Sequence, residues 1–172
     1  MTLAALQPEN AVIVDESVTS GREYFAITSK VPPHTILFLT GGAIGQGIPC
    51  AVGAAVACPD RPVINLQADG SAMYTLQALW TQAREELNIT TLICSNRRYE
   101  ILKLEMAKAG IQAAGSSAQT LTDLGNPELD WVNLSQGLGV PAVAVDTCEN
   151  LARQLKIALR EPGPHLIEIQ LA

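Results

Sequence analysis

The stretch Val63–Asn96, VINLQADGSAMYTLQALWTQAREELNITTLICSN, decides how the rest of the chain is read. It opens on a continuous apolar run, Val63–Gln67, of the kind that forms a strand buried on both faces. The turn Ala68-Asp69-Gly70-Ser71 follows, then a helix-like segment over Tyr74–Leu87, and a second buried run, Thr90–Ser95, ending at Asn96. A carboxylate at the end of one strand and an amide at the end of the next put two hard oxygen donors on one rim of a parallel sheet. Such a pair suits Mg²⁺, which takes few protein ligands and completes its octahedron with phosphate oxygens and water. Gly70 lets the backbone approach a phosphate, and a helix starting near Ser71 directs its free N–H groups at it. Read as chemistry, the stretch is a Mg²⁺-diphosphate site.

The same residues carry a family resemblance. Ala68-Asp69-Gly70 followed by Ser95-Asn96 resembles the thiamine diphosphate signature, a Gly-Asp-Gly and, twenty-odd residues on, an Asn pair. From about Asn10 to Glu168 the chain is similar to the C-terminal, diphosphate-binding domain of the acetolactate synthase and benzoylformate decarboxylase group. Ala68 and Ser95 depart from the pattern, while Asp69 and Asn96 keep it. The resemblance implies Mg²⁺ held by Asp69, Asn96 and the main-chain carbonyl of Arg98. It implies a thiamine diphosphate site built from Thr19, Gly42, Ile44, Asp69, Gly70, Ser71, Asn96, Arg98 and Tyr99. Within it Ile44, from GGAIGQG, is the bulky wedge that bends the cofactor, and the Gly42 carbonyl accepts from its 4′-amino group. Ser71 caps a helix and touches the diphosphate. Thr19 is a phosphate-contacting hydroxyl or an N-cap, and Val18 stands where some relatives carry a hydroxyl.

Taken singly, several of these residues have plainer readings. Asp69 alone fits a helix N-cap, Asn96 a loop amide and Ile44 core packing. Arg97 and Arg98 neutralise phosphate or are solvated. The glycine run also invites a dinucleotide-binding reading, but no acidic residue ends a strand about 20 residues later within a βαβ unit.

Composition agrees with a single domain over residues 1–172. Of the 172 residues, 48% are hydrophobic and only 4% aromatic, a balance that suits helices packed on both faces of a parallel sheet. The net charge of −6, without a basic cluster, argues against nucleic acid and anionic membranes as partners. No apolar run approaches the length of a membrane span. Cys50, Cys58, Cys94 and Cys148 form no C-x-x-C pair and read as small buried hydrophobes in a reducing, cytoplasmic setting.

Elsewhere strand and helix alternate. Ala11–Asp15, Thr35–Leu39, Pro141–Val145 and His165–Leu171 read as strands, with a helix through GREYFAI and another over the small apolar run to Cys58. Further helices are expected from Tyr99 to a stop at Gly110, from Pro127 through DWVNLSQGLG, and over Thr147–Arg160. Ile111–Asp123 reads as a surface loop. The sum is a doubly wound, mostly parallel six-stranded sheet with helices on both faces. In such sheets ligands bind outside the carboxyl ends of the strands, where Asp15, Thr40-Gly41, Asp69 and Asn96 all fall. His34 and His165 fall on the opposite rim.

The family's activating glutamate belongs to a pyrimidine-binding domain, and nothing here matches it. A fragment of a longer enzyme or one subunit of a two-part enzyme is therefore expected. Its partner would be that domain, on the same chain or a separate one, in a homo-oligomer. The implied activity is carboligation or decarboxylation of a 2-oxo acid, a transferase or a lyase. The alternative is a non-catalytic binding or assembly module that keeps the fold. Glu100-Ile101-Leu102 are candidates to face the substrate.

Overall fold

The computed structural model describes residues 1–111 and 115–171. Six strands form one all-parallel sheet: β1 Val12–Glu16, β2 Thr35–Phe38, β3 Val63–Ala68, β4 Ile89–Ser95, β5 Ala142–Val145 and β6 His165–Gln170. Their spatial order is β2-β1-β3-β4-β6-β5. The helices in chain order are α1 Thr2–Leu6, α2 Tyr24–Ile27, α3 Gly47–Ala57, α4 Asp69–Ala72 and α5 Ala78–Arg84. They are followed by α6 Glu100–Lys108, α7 Ser116–Thr122, α8 Trp131–Gly137 and α9 Cys148–Ala158. No described helix is long and apolar enough to cross a membrane.

The doubly wound architecture follows from the strand sequences. β4 is buried at every position and β3 at all but its last, as continuous apolar runs require when helices cover both faces. On one face Ile13, Ile64, Leu92 and Ile167 pack with Leu3 of α1, Tyr24 of α2 and Leu151 and Leu155 of α9. The other face is covered by α3, α5 and α8, through Ile48, Ala51, Leu79 and Trp131. Each fully buried Ile or Leu stabilises the fold by roughly 1.5–3 kcal/mol. The chain leaves β1 towards β2 on one side, then continues through β3 on the other. That reversal opens a crevice at the carboxyl ends of β1 and β3, where ligands of such sheets bind.

Several expected elements differ. The single helix over Tyr74–Leu87 is instead short α4, a run of turns, and α5 from Ala78. The turns are closed by Tyr74 N–H to Ser71 O (3.2 Å) and Ala78 N–H to Thr75 O (3.0 Å). Tertiary contact overrides helix periodicity here, because Thr75 leaves the helical path to hydrogen-bond the glycine-rich loop. The helix through GREYFAI is reduced to α2 and a 3-10 turn, Thr28–Lys30. Within the expected loop Ile111–Asp123, Ser116–Thr122 is helical, with Thr122 buried and bonded back to Ala118 O (3.0 Å). Residues 112–114 of that loop lie outside the described residues. The helix expected from Pro127 begins only at Trp131, where the Asp130 carboxylate caps the Asn133 N–H at 2.9 Å. Of the four cysteines only Cys94 is buried: Cys50 and Cys58 are half-buried, and Cys148 is exposed at the first turn of α9. Burial pushes the Cys94 thiol up to about 12.

Candidate functional site

Asp69 is the first residue of α4 and only 2% exposed. The helix N-cap is Ala68, so the plainer reading of Asp69 as a cap does not hold. Its carboxylate instead bridges two strand ends. Oδ1 accepts the Gly70 N–H (2.8 Å) and Oδ2 accepts the Arg97 N–H (2.7 Å), from the turn that follows β4. Arg97 reaches it in a left-handed conformation, φ 57°. Burial raises the Asp69 pKa, and the N–H groups of Gly70, Arg97 and Asn96 oppose that shift. No cationic side chain pairs with Asp69 among the described residues: Arg97 and Arg98 pair instead with Glu128 (2.6 Å) and Glu100 (2.9 Å). A buried carboxylate with amide donors and no counter-charge fits a cation on its open side.

Asn96 is half-buried beside it, and its Oδ1 accepts the Arg98 N–H at 3.1 Å, which leaves acceptor capacity on that oxygen. Arg98 is tied by an antiparallel bridge to Asp123. The bonds around that bridge, Tyr99 N–H to Thr122 O and Leu124 N–H to Arg97 O, use carbonyls other than that of Arg98. The candidate donors, two side-chain oxygens and the Arg98 main-chain carbonyl, are all hard oxygens. No group of three or more His, Cys, Asp or Glu that could hold a metal occurs among the described residues.

One pocket gathers Thr19, Ile44, Asp69, Gly70, Ser71, Asn96, Arg98 and Tyr99, together with Val18, Ala68, Glu100 and Ile101. Residues from the ends of β3 and β4, from the turn after β1 and from the loop between β2 and α3 therefore meet at one place. Val18 has φ 54°, which β-branched residues rarely adopt, at the sharp turn that brings Val18 and Thr19 to the pocket. Gly42 is the exception. It is exposed and lines an adjoining apolar pocket with Ile44, Phe25, Phe38 and Ile101.

Three details differ from the sequence reading. Ser71 does not cap a helix: its Oγ donates towards Glu16 O (3.4 Å) and Ala68 O (3.3 Å) and accepts from Gln67 Nε2 (3.2 Å). Gly70 is required by a close side chain whether or not a phosphate approaches. A Cβ there would stand 2.4 Å from Tyr99 Cε1 and 2.9 Å from Leu124 Cδ1. Arg97 and Arg98 are neither free nor simply solvated but paired with glutamates. Arg98 and Glu100 thus meet at the pocket wall. The two departures from the signature are accommodated. Ala68 has φ −82° and ψ 146°, an extended conformation any residue adopts, and Ser95 is buried and hydrogen-bonded to Glu168.

Sequence reasoning missed Glu16. Its carboxylate is 1% exposed and accepts the Gly45 N–H (2.5 Å) through Oε1 and the Gly47 N–H through Oε2. The signal in the sequence is an acidic residue at the end of a buried strand, next to Asp15. His34 and His165 sit at strand starts on the far rim and bond to Pro32 O and Glu161 O.

Comparison with known proteins bears on this geometry. The family model of the thiamine pyrophosphate enzyme C-terminal TPP-binding domain matches residues 19–169. A Mycobacterium tuberculosis protein with the provisional name acetolactate synthase large subunit IlvX is 52% identical over 168 residues, which is 97% of this chain and 33% of that protein. The benzoylformate decarboxylase of Pseudomonas aeruginosa is 33% identical over 96% of this chain and 30% of its own length. Among solved structures, the thiamine diphosphate-dependent 4-hydroxybenzoylformate decarboxylase of Rhodococcus jostii RHA1 superposes with a TM-score of 0.87. It is 32% identical and covers 98% of this chain and 31% of that one. The chain thus spans about a third of the length of the relatives it matches. It belongs to the thiamine pyrophosphate enzyme family, as a C-terminal TPP-binding domain.

Proposed function

We propose that this chain anchors the diphosphate of thiamine diphosphate through Mg²⁺ held by Asp69, Asn96 and the main-chain carbonyl of Arg98. It does so as the diphosphate-binding part of an enzyme acting on 2-oxo acids, by acetolactate-type ligation or by decarboxylation. The observation that carries the reading is the buried Asp69 carboxylate, held by two main-chain N–H groups and unpaired with any cation among the described residues, on the wall of one pocket with Asn96. The names of the relatives support the substrate class. Once bound, thiamine diphosphate supplies a C2 nucleophile and an electron sink for the carbon that loses or gains a bond.

The chain's own residues bind and orient. Asp69 and Asn96 fix the metal, while Thr19 and Ser71 stand at the diphosphate end of the pocket. Ile44 projects from the glycine-rich loop as the wedge that bends the cofactor, and the Gly42 carbonyl, on the adjoining pocket, receives its amino group. The base that activates the aminopyrimidine comes from a pyrimidine-binding domain, of the same enzyme or a separate subunit, in a homo-oligomer. Its free cysteines suit a cytoplasmic setting.

Thermal unfolding with and without ligand tests the anchoring. At a hundredfold excess over Kd, a ligand stabilises by about 2.7 kcal/mol, roughly 5–10 °C for a domain of this size. Thiamine diphosphate with Mg²⁺ is expected to raise Tm by that amount in the wild type and not in Asp69→Asn. Equal shifts in the two proteins, or in EDTA, would remove the metal reading.

A further inference from the structure

The glycine-rich loop carries Ile44, and its hold on the rest of the fold is one-sided. Before Ile44 come Gly41 and Gly42, both exposed with φ 62° and 73°, where an added Cβ would meet nothing within 4 Å. That side of the loop is open. After Ile44 the situation reverses. Glu16, from the end of β1, takes the Gly45 N–H through Oε1 at 2.5 Å and the Gly47 N–H through Oε2. Thr75, from the turns between α4 and α5, donates its hydroxyl to the Gly45 carbonyl at 2.8 Å. Gln46 adds an exposed bond from Nε2 to Phe38 O at 3.0 Å.

Sterics tighten the same region. Gly45 has φ 98°, and a Cβ on it would lie 2.8 Å from the Tyr74 Cβ. A Cβ on Gly47 would stand 2.1 Å from Gln67 Oε1 and 3.0 Å from the Glu16 Cβ. Glu16 has no ion-pair partner among the described residues; its charge is met by amides at the N-terminus of the eleven-residue helix α3. Glu16 itself is not among the residues lining the pocket that Ile44 shares with Asp69.

We propose that Glu16, with Thr75, is a positioning residue: the two clamp the Gly45 peptide and thereby set where the Ile44 side chain stands in the pocket. The proposal rests on the reading of that pocket as a thiamine diphosphate site. It goes beyond it by making part of the affinity for the thiamine half depend on a carboxylate outside the pocket lining. Glu16→Gln keeps the shape of the side chain but turns an N–H₂ towards one of the two loop amides, so it breaks one arm of the clamp.

The test titrates the full chain, with Mg²⁺ present, against thiamine diphosphate and against inorganic pyrophosphate. The wild type is expected to bind thiamine diphosphate more tightly than pyrophosphate. Glu16→Gln should lose about tenfold on thiamine diphosphate, as for a lost charge-assisted hydrogen bond, and less than about twofold on pyrophosphate. Thr75→Val should shift the same ratio in the same direction by a smaller factor, and it carries the test if Glu16→Gln does not fold. Equal losses on both ligands would make Glu16 a support of the fold alone, and no loss on either would make the clamp idle. Each would overturn the proposal while leaving the pocket reading intact. A wild type that binds the two ligands equally would overturn the clamp and leave the diphosphate anchor standing, whereas a wild type that binds neither would overturn the reading of the pocket.

Discussion

Two carboxylates end two neighbouring strands of the same sheet, Glu16 on β1 and Asp69 just past β3, and the two are built alike. Each is almost fully buried and each accepts two main-chain N–H groups: Glu16 both from a loop about thirty residues away, Asp69 one from its neighbour Gly70 and one from distant Arg97. What separates them is what lies on the remaining side. Glu16 faces the start of α3 and lines no part of the pocket that holds Ile44. Asp69 lines a pocket shared with Asn96, Ile44 and Thr19. Burial and a strand end are therefore insufficient to mark a binding carboxylate. Access to the pocket is what marks it.

The sharpest way to break this contrast is to remove each charge. Asp69→Asn should abolish Mg²⁺-dependent binding of thiamine diphosphate, a loss of at least roughly a hundredfold. It should leave the ligand-free chain as stable as the wild type or more so, because an unpaired buried charge is costly. Calorimetry and urea unfolding read the two halves. Glu16→Ala should show the reverse emphasis, with about 2–3 kcal/mol lost in urea unfolding as two amides lose a charged acceptor. A ligand-free Asp69→Asn that unfolds as easily as Glu16→Ala would erase the distinction.

A smaller effect is expected at Gly70. Gly70→Ala forces the Tyr99 ring aside and should cost about 1–3 kcal/mol, as overpacking does. Most of that should return in Gly70→Ala/Tyr99→Ala, and an unchanged cost in the double variant would mean the strain lies elsewhere. The smallest effect concerns Cys94, whose thiol keeps its proton in the folded state up to about 12. The unfolded chain releases that proton above about pH 8.5, so Cys94 should make stability decline as pH rises past that point. Cys94→Ala should flatten the slope. Iodoacetamide at pH 8 should modify exposed Cys148 and spare Cys94 until the chain unfolds, as mass spectrometry would show.

Much of this molecule is legible in its sequence, and the boundary has physical causes. The strands β1, β3 and β4 are continuous β-branched or apolar runs, so burial on both faces follows from composition alone. Asp69 and Asn96 are legible because strand ends at a fixed spacing bring them to one rim. Glu16 is hidden because its partners, Gly45 and Gly47, are about thirty residues away, and their amides carry no side-chain signal. The true neighbour of Gly70, Tyr99, is hidden for the same reason. The break between α4 and α5 was missed since periodicity cannot see Thr75 reaching for the Gly45 carbonyl. The helix Ser116–Thr122 is hidden because Ser and Thr, four of its seven residues, give a weak helical signal.

The central claim is that Asp69 and Asn96 make a Mg²⁺-dependent diphosphate site. Calorimetric titration of the chain with thiamine diphosphate, first with Mg²⁺ and then with EDTA, tests it most directly. The account predicts saturable one-to-one binding with Mg²⁺ and its loss in EDTA. Binding of the same strength in EDTA would contradict it, since Asp69 would then face no metal.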